Sequence, residues 1–85
     1  GQVYYLYVVD NANKLVGVIT LRNLICAPSS DIVANHMSDE VITCNVNDDQ
    51  ETVAKTISKY DLIALPVIDD SNTLKGVVTI DDVVD

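Results

Sequence analysis

Two stretches of the chain share one pattern of apolar and polar positions. Residues 6–25 and 65–84 align without a gap at an offset of 59 residues, and eight of the twenty aligned positions are identical. Each stretch reads as an apolar strand, a polar turn, a second apolar strand and the start of a helix. Because chance does not explain this match, the pattern predicts a duplicated structural unit.

Turn and capping residues divide each copy in the same way. Asp10–Lys14 and Asp69–Thr73 are rich in Asn, Asp and Ser, which favour turns, so each copy is predicted to contain a β-hairpin. Thr20 and Thr79 follow the second strands and are followed three residues later by a short polar side chain. This spacing is typical of a helix N-terminus.

The segment between the copies predicts one more strand and one more helix. Val41–Val46, which is mostly apolar, is interpreted as a strand, and residues 48–51 (DDQE) form a helix N-terminal signature. The apolar face that follows predicts a helix over roughly residues 49–60. The second unit is therefore predicted to be β-α-β-β-α.

The predicted organisation has three parts and belongs to the α+β class. Residues 1–26 form the C-terminal part (β-β-α) of a first unit, residues 27–40 a linker with a short helical segment, and residues 41–85 a second, nearly complete unit. Each unit is predicted to hold a small sheet with helices packed on one face. We expect the chain to be a fragment of a longer protein.

Composition narrows the range of partners. The 85 residues include no Phe and no Trp, and thirteen acidic residues stand against five basic ones, a formal charge of −8. Such a charge repels phosphate backbones and anionic lipids, so nucleic acid is not expected as a partner. Cations and basic proteins fit this charge better.

Several reactive or aromatic side chains are interpreted as structural. Cys26 and Cys44 stand singly in apolar segments and are expected to be reduced and half-buried. His36 has no second ligand at metal spacing and is expected to be a solvated surface residue. Strand packing, rather than a platform for a ligand, is expected for three tyrosines, with Tyr5 as the exception: Tyr4, Tyr5 and Tyr7.

The 59-residue repeat, closed by Gly-x-x-Thr-x-x-Asp in its second copy, resembles a pair of CBS (cystathionine-β-synthase) domains, a regulatory module. More narrowly, residues 4–10 (YYLYVVD), 48–70 (DDQETVAKTISKYDLIALPVIDD) and 76–85 (GVVTIDDVVD) look like the cytosolic CBS region of MgtE-type magnesium transporters. The resemblance covers essentially the whole chain.

The resemblance implies a set of Mg²⁺ ligands. Mg²⁺ takes oxygen ligands, keeps several waters and often uses one or two carboxylates per site. Five acidic residues match family positions that bind Mg²⁺ at interfaces of the cytosolic domains: Asp49, Glu51, Asp61, Asp82 and Asp85. The alternative interpretation is that each is a helix cap or a solvated turn residue.

The resemblance also implies an adenine-nucleotide cleft. The residues that would line it are Tyr5, Thr20, Arg22, Asn23, Ile42 and Leu62. Asn23 stands where the family commonly has Asp, and Leu62 where an aromatic ring could stack on the base, so we expect dissociation constants above about 100 µM. The alternative is that these residues serve as helix caps and core strands.

Two function classes follow from the resemblance. The first is a non-catalytic module that senses intracellular Mg²⁺ and gates a transporter; the second is an adenine-nucleotide-sensing CBS pair attached to an enzyme or transporter. No catalytic residues are expected, since no nucleophile lies beside a general base. The implied setting is the cytosolic side of a bacterial plasma membrane. The implied partners are a second copy, an N-terminal cytosolic domain and a C-terminal transmembrane domain.

Overall fold

The computed structural model describes residues 3–80, and the chain divides into two compact units, Gly1–Val41 and Ile42–Asp85. The first unit contains β1 (Tyr5–Val9), β2 (Leu15–Thr20), α1 (Leu21–Cys26) and a 3-10 turn (Val33–Asn35). The second contains β3 (Cys44–Asn45), α2 (Gln50–Tyr60), β4 (Ala64–Ile68) and β5 (Leu74–Thr79). The small α+β elements agree with the predicted fold class.

The two hairpins confirm the duplication pair by pair. Strand β1 is antiparallel to β2, with Tyr5 opposite Thr20, and β4 is antiparallel to β5, with Ala64 opposite Thr79. These partners are equivalent at the 59-residue offset. Even the irregularity is repeated, since the register shifts between Val8 and Val9 and again one repeat later, between Val67 and Ile68.

Identical turn chemistry closes both hairpins. The Asp10 carboxylate accepts hydrogen bonds from the N–H groups of residues 12 and 14, and Asp69 accepts the equivalent pair from residues 71 and 73. Asn13 and Asn72 lie in the left-handed region, at φ 62° and 65°. Asn tolerates this conformation better than most residues, which explains its presence in both turns.

In the first unit, a later segment docks on β2. Gly17 is buried, and a Cβ placed there would overlap the Met37 sulfur and lie 3.0 Å from the Ser38 carbonyl oxygen. Val18 and Ser38 exchange two backbone hydrogen bonds of 2.9 and 2.8 Å. The absence of a side chain at Gly17 therefore lets the chain around Met37 lie directly against the strand.

In the second unit, the strands lie in the order β3-β4-β5, and α2 packs against them. Cys44, Ile57 and Leu65 form its buried core, with Leu65 completely inaccessible to solvent. Ile57 is the buried residue of α2, and Val53, one turn earlier, packs against the same cluster. This i, i+4 pair is the apolar face that the sequence predicts.

The predicted strand Val41–Val46 is too long, since only Cys44–Asn45 pairs, in parallel with β4. The Val46 N–H donates to the Ile68 carbonyl, so the backbone of Ile68 faces β3. Alternate residues of a strand face the same neighbour, so the backbone of Pro66 faces β3 as well. Because proline has no N–H to donate, the ladder cannot extend past it in this direction. The tertiary position of Pro66 thus shortens β3.

Several exposures differ from prediction. Cys44 is buried, but Cys26 is exposed, because none of the residues of α1 is buried. Tyr4 is 58% exposed, so its expected packing is wrong, while Tyr7 is half-buried. Tyr5, the expected exception, is 41% exposed. Between residues 3 and 80, no helix has the length and apolar character needed to cross a bilayer.

Candidate functional site

Negative charge is concentrated in the second unit. Ile42–Asp85 contains nine of the thirteen acidic residues and three of the five basic ones, a formal charge of −6. All five predicted Mg²⁺ ligands belong to this unit. Asp82 and Asp85 lie outside the described residues, so the structure describes Asp49, Glu51 and Asp61.

Asp49 caps the N-terminus of α2. Its Oδ1 accepts a hydrogen bond of 2.8 Å from the Thr52 N–H. Hydrogen bonds from the backbone and side chain of Thr52 lower the pKa of the Asp49 carboxyl. The group is therefore ionised at neutral pH and exposed to solvent. It can offer a carboxylate oxygen to a cation while it still caps the helix.

Glu51 lies in the first turn of α2, where the helix dipole favours negative charge. Its Oε1 is 3.3 Å from the Lys55 ammonium, and both side chains are largely exposed. An exposed i, i+4 pair of this kind contributes only about 0.3–0.5 kcal/mol. A divalent cation could therefore displace Lys55 from Glu51 at little cost.

Asp61 ends α2 in the left-handed conformation, with φ 53° and ψ 47°. Its N–H donates to the carbonyls of Ile57 and Ser58, and its side chain is exposed. Glycine is the usual residue at this helix position because it adopts positive φ without steric cost. The carboxylate of Asp61 therefore stands where local backbone preference favours another residue.

These three carboxylates do not form one site. Asp49 and Asp61 flank a helix of eleven residues, which is about 16 Å long. Within the described residues, no three His, Cys, Asp or Glu side chains come together as a metal centre. The donors fit Mg²⁺ as single exposed carboxylates acting with retained waters, or together with ligands from elsewhere.

An open cleft of about 720 Å³ lies beside Glu51 in the second unit, a feature that the sequence did not indicate. Asn45 organises one wall, since its N–H donates to Asp48 and its side-chain amide donates to Asp70. Burial, with a smaller contribution from Asp48, raises the pKa of the Cys44 thiol. The cleft is thus lined by the acidic side chains of Asp48 and Glu51 and by the buried, unreactive thiol of Cys44.

The predicted nucleotide residues fall in both units. In the first, Thr20 and Arg22 line a largely apolar groove of about 560 Å³, together with Tyr4 and Ile25. Thr20 caps α1 by accepting the Asn23 N–H at 3.1 Å, which leaves its hydroxyl hydrogen available to a phosphate. Tyr5 lies opposite Thr20 in the β-ladder.

The two remaining residues of this set belong to the second unit. Ile42 is exposed, whereas Leu62 is half-buried and packs against the core of Cys44, Ile57 and Leu65. Leu62 therefore has a structural role, which the sequence interpretation had left as an alternative.

His36 differs from its predicted solvated state. Its Nε2 lies 2.8 Å from Asp31 Oδ2, and the ring is half-buried. His36 and Asp31 are five residues apart in an irregular segment, and this spacing does not predict a contact between their side chains.

A model of the CBS domain family matches residues 2–30 and 29–85. The chain belongs to the CBS domain family. It is 49% identical to the magnesium transporter MgtE of Enterococcus faecalis over 83 residues, which is 98% of this chain and 18% of the transporter. The chain thus spans about a fifth of the length of this relative.

Two solved structures of the same family are similar over the same range. The soluble part of a magnesium transporter is 48% identical with a TM-score of 0.88, covering 98% of this chain and 32% of the other. The cytosolic domain of the Mg²⁺ channel MgtE, solved in complex with ATP, is 43% identical with a TM-score of 0.88, covering 98% and 34%. The repeat and the hairpins described above are thus those of CBS domains.

Similar stretches occur in enzymes. The inosine-5′-monophosphate dehydrogenase of Nitrosopumilus maritimus is 33% identical over 92% of this chain, but over only 16% of the enzyme. A stretch shared by transporters and a dehydrogenase cannot supply the chemistry peculiar to either. The chain is accordingly a regulatory, non-catalytic module.

Proposed function

We propose that this chain is a Mg²⁺-sensing regulatory module on the cytosolic side of a bacterial magnesium transporter, joined to a further cytosolic domain and a transmembrane domain. The observation that carries the proposal is the formal charge of −6 on Ile42–Asp85, the unit that contains every predicted ligand. Similarity to MgtE over 98% of the chain supports the same assignment.

Electrostatics supplies the mechanism. When Mg²⁺ is scarce, repulsion opposes any state that brings the acidic face of this unit against another acidic domain. Bound Mg²⁺ relieves that repulsion and favours the closed arrangement, which lowers further import. This is a population shift, since the ion binds one arrangement better than the other.

The backbone at Asp61 supports its assignment as a ligand. Left-handed residues other than glycine cost stability and concentrate at functional positions. Asp61 keeps a carboxylate at φ 53°, where glycine would be more stable. Asp adopts the left-handed conformation more readily than most residues other than glycine and Asn, and a cation-binding role would add a reason for a carboxylate here.

Thermal unfolding in MgCl₂ and in NaCl of equal ionic strength tests the proposal. We expect millimolar binding, and about 1 kcal/mol of extra stabilisation at about ten times the dissociation constant. Asp61→Asn should reduce the stabilisation that MgCl₂ gives beyond NaCl. Asp39 is an exposed acid in the first unit, and Asp39→Asn should leave that difference unchanged. Equal shifts in the two salts would mean screening alone and would refute a specific site.

A second candidate function is adenine-nucleotide binding. The groove lined by Thr20 and Arg22 favours it, as does the similarity to a cytosolic domain that was solved with ATP. Arg22 is the one arginine of the chain and offers a bidentate phosphate contact. We expect weak binding, because Asn23 offers one neutral acceptor oxygen to the ribose hydroxyls where a carboxylate would offer two charged ones.

Calorimetry with ATP tests this second function. Asn23→Asp should tighten ATP binding. Arg22→Gln, the matched control, should weaken it. Low-micromolar affinity of the unaltered chain would contradict the expected weakness. No heat with either the unaltered chain or Asn23→Asp at millimolar ATP would exclude the site.

We also propose that the chain forms a homodimer. Ile25 on α1 is 72% exposed and Ile32 is 64% exposed, and burial of such apolar side chains favours association. Sedimentation at micromolar concentrations should reveal a species heavier than 9.2 kDa. A single 9.2 kDa species throughout that range would contradict the proposal.

A further inference from the structure

The two repeats differ in what covers one equivalent glycine. Gly17 on β2 is buried, because Met37 and Ser38 lie directly over it. Gly76 on β5 is its equivalent at the 59-residue offset and is exposed. Within the described part of the chain, a Cβ built at Gly76 meets no atom within 4 Å. The same strand position is thus covered in one unit and open in the other.

The backbone beside each glycine shows the same contrast. Val18 exchanges two hydrogen bonds with Ser38 on the outer edge of β2. Its equivalent Val77 lies opposite Pro66, which presents its backbone to β3. Since opposite residues in an antiparallel ladder are either both bonded or both unbonded, Val77 presents its N–H and C=O to the outer edge of β5. Its side chain is 42% exposed.

We propose that Gly76 and Val77 form a docking site for an extended segment of the protein outside these 85 residues. The segment carries a long unbranched apolar side chain, such as Met, which covers Gly76, and the residue after it exchanges two backbone hydrogen bonds with Val77. The observed seating of Met37 and Ser38 on the equivalent strand defines this chemistry.

The choice of occupant rests on two observations. A second copy is disfavoured because its own Met37 and Ser38 already lie on its Gly17 and Val18. The E. faecalis relative is matched over only 18% of its length, so a protein of that size has ample further chain to supply the segment. Docking at Gly76 and Val77 does not depend on Mg²⁺ or nucleotide binding, so its absence would leave the proposed function intact.

A synthetic peptide with the sequence of Asp31–Val41 (DIVANHMSDEV) serves as the probe, titrated to 2 mM into the ¹⁵N-labelled 85-residue chain. We expect saturable changes in the amide signals of Gly76, Val77 and Val78, with little change at Gly17. A peptide in which the Met is replaced by Ser should bind about tenfold more weakly, because it lacks the apolar side chain.

A substitution in the chain provides the matched control. Gly76→Val should retain the fold, since the added atoms project into open space, but should abolish the changes at Val77. In a second measurement, the same peptide sequence is fused to the chain through a flexible Gly/Ser linker, which raises its effective concentration to the millimolar range. The fusion should protect the Val77 amide from hydrogen exchange.

Three results would overturn the proposal. The first is no change at Gly76 and Val77 with either the free or the fused peptide. The second is equal binding by the Met and Ser peptides, which would remove the role of the long side chain. The third is a change of the Gly76 and Val77 signals on dilution of the chain alone, which would identify a second copy as the occupant.

Discussion

The contact between Gly17 and Met37 makes a prediction about a single methyl group. In Gly17→Ala, the new Cβ would overlap the Met37 sulfur, lie 2.9 Å from the Met37 Cγ and lie 3.0 Å from the Ser38 carbonyl oxygen. The Met37 side chain can rotate, but the Ser38 carbonyl is backbone. Relief therefore requires the segment to move away from β2.

The expected cost follows from what such a movement disturbs. Overpacking a close contact typically costs about 1–3 kcal/mol. Moving the segment also weakens the two hydrogen bonds between Val18 and Ser38, each with a net contribution of about 0.5–1.5 kcal/mol. We therefore expect Gly17→Ala to destabilise the first unit by about 2 kcal/mol.

The repeat supplies a matched control at the equivalent glycine. Gly76→Ala adds the same methyl group where nothing lies within 4 Å in the described part of the chain. It should be neutral or stabilise by about 0.4–1 kcal/mol through the loss of unfolded-state freedom. Urea unfolding followed by circular dichroism, with amide exchange at Val18 and Ser38, measures both variants.

Equal stability of Gly17→Ala and Gly76→Ala would contradict the close contact at Gly17. A double-mutant cycle sharpens the test, because Met37→Ala removes the flexible part of the clash. Met37→Ala should lower the free energy of unfolding less in the Gly17→Ala background than in the unaltered chain. Equal costs in both backgrounds would mean that Met37 does not contact this strand.

Three further predictions concern the second unit. Leu65→Ala removes a completely buried side chain, so it should lower the free energy of unfolding by about 3 kcal/mol in urea, and a smaller loss than for exposed Val77→Ala would contradict the described core. Because hydrogen bonding lowers the pKa of Asp49, its stabilising effect should be complete at neutral pH and disappear as the pH falls through that lowered pKa, below 3.8. Asp49→Asn should show a smaller acid loss in unfolding measured from pH 5 to pH 2, and identical pH profiles would show that the cap is not formed. Asp61→Gly should raise stability by about 0.5–1 kcal/mol while it reduces the Mg²⁺-specific shift, and a fall in stability would contradict the left-handed cap.

Local chemistry explains which elements were predictable. The first hairpin and the N-termini of α1 and α2 were predicted because Asp10, Thr20 and Asp49 bond the backbone within four residues. The pairing of Asp10 with its own turn, for example, needs no distant partner. Such signals are visible in the sequence and were confirmed.

Tertiary contacts explain which features could not be predicted from the sequence. The length of β3 depends on Pro66, twenty residues or more along the chain, and the exposure of Cys26 depends on what covers α1. The seating of Met37 on Gly17 is equally non-local. Site residues were least predictable of all, because exposed carboxylates such as Asp49 and Asp61 do not converge on one centre within the described residues. Their role in Mg²⁺ binding stays a prediction.

The two thiols lie in different environments, so one of them can be labelled selectively for spectroscopy. Cys26 is exposed and lines the groove of Thr20 and Arg22, whereas Cys44 is buried and has a raised pKa. A maleimide at neutral pH should therefore modify Cys26 and leave Cys44 intact, because only an accessible thiolate reacts rapidly. A fluorophore or spin label can thus be attached beside the candidate nucleotide groove of the unaltered sequence, without removing either cysteine.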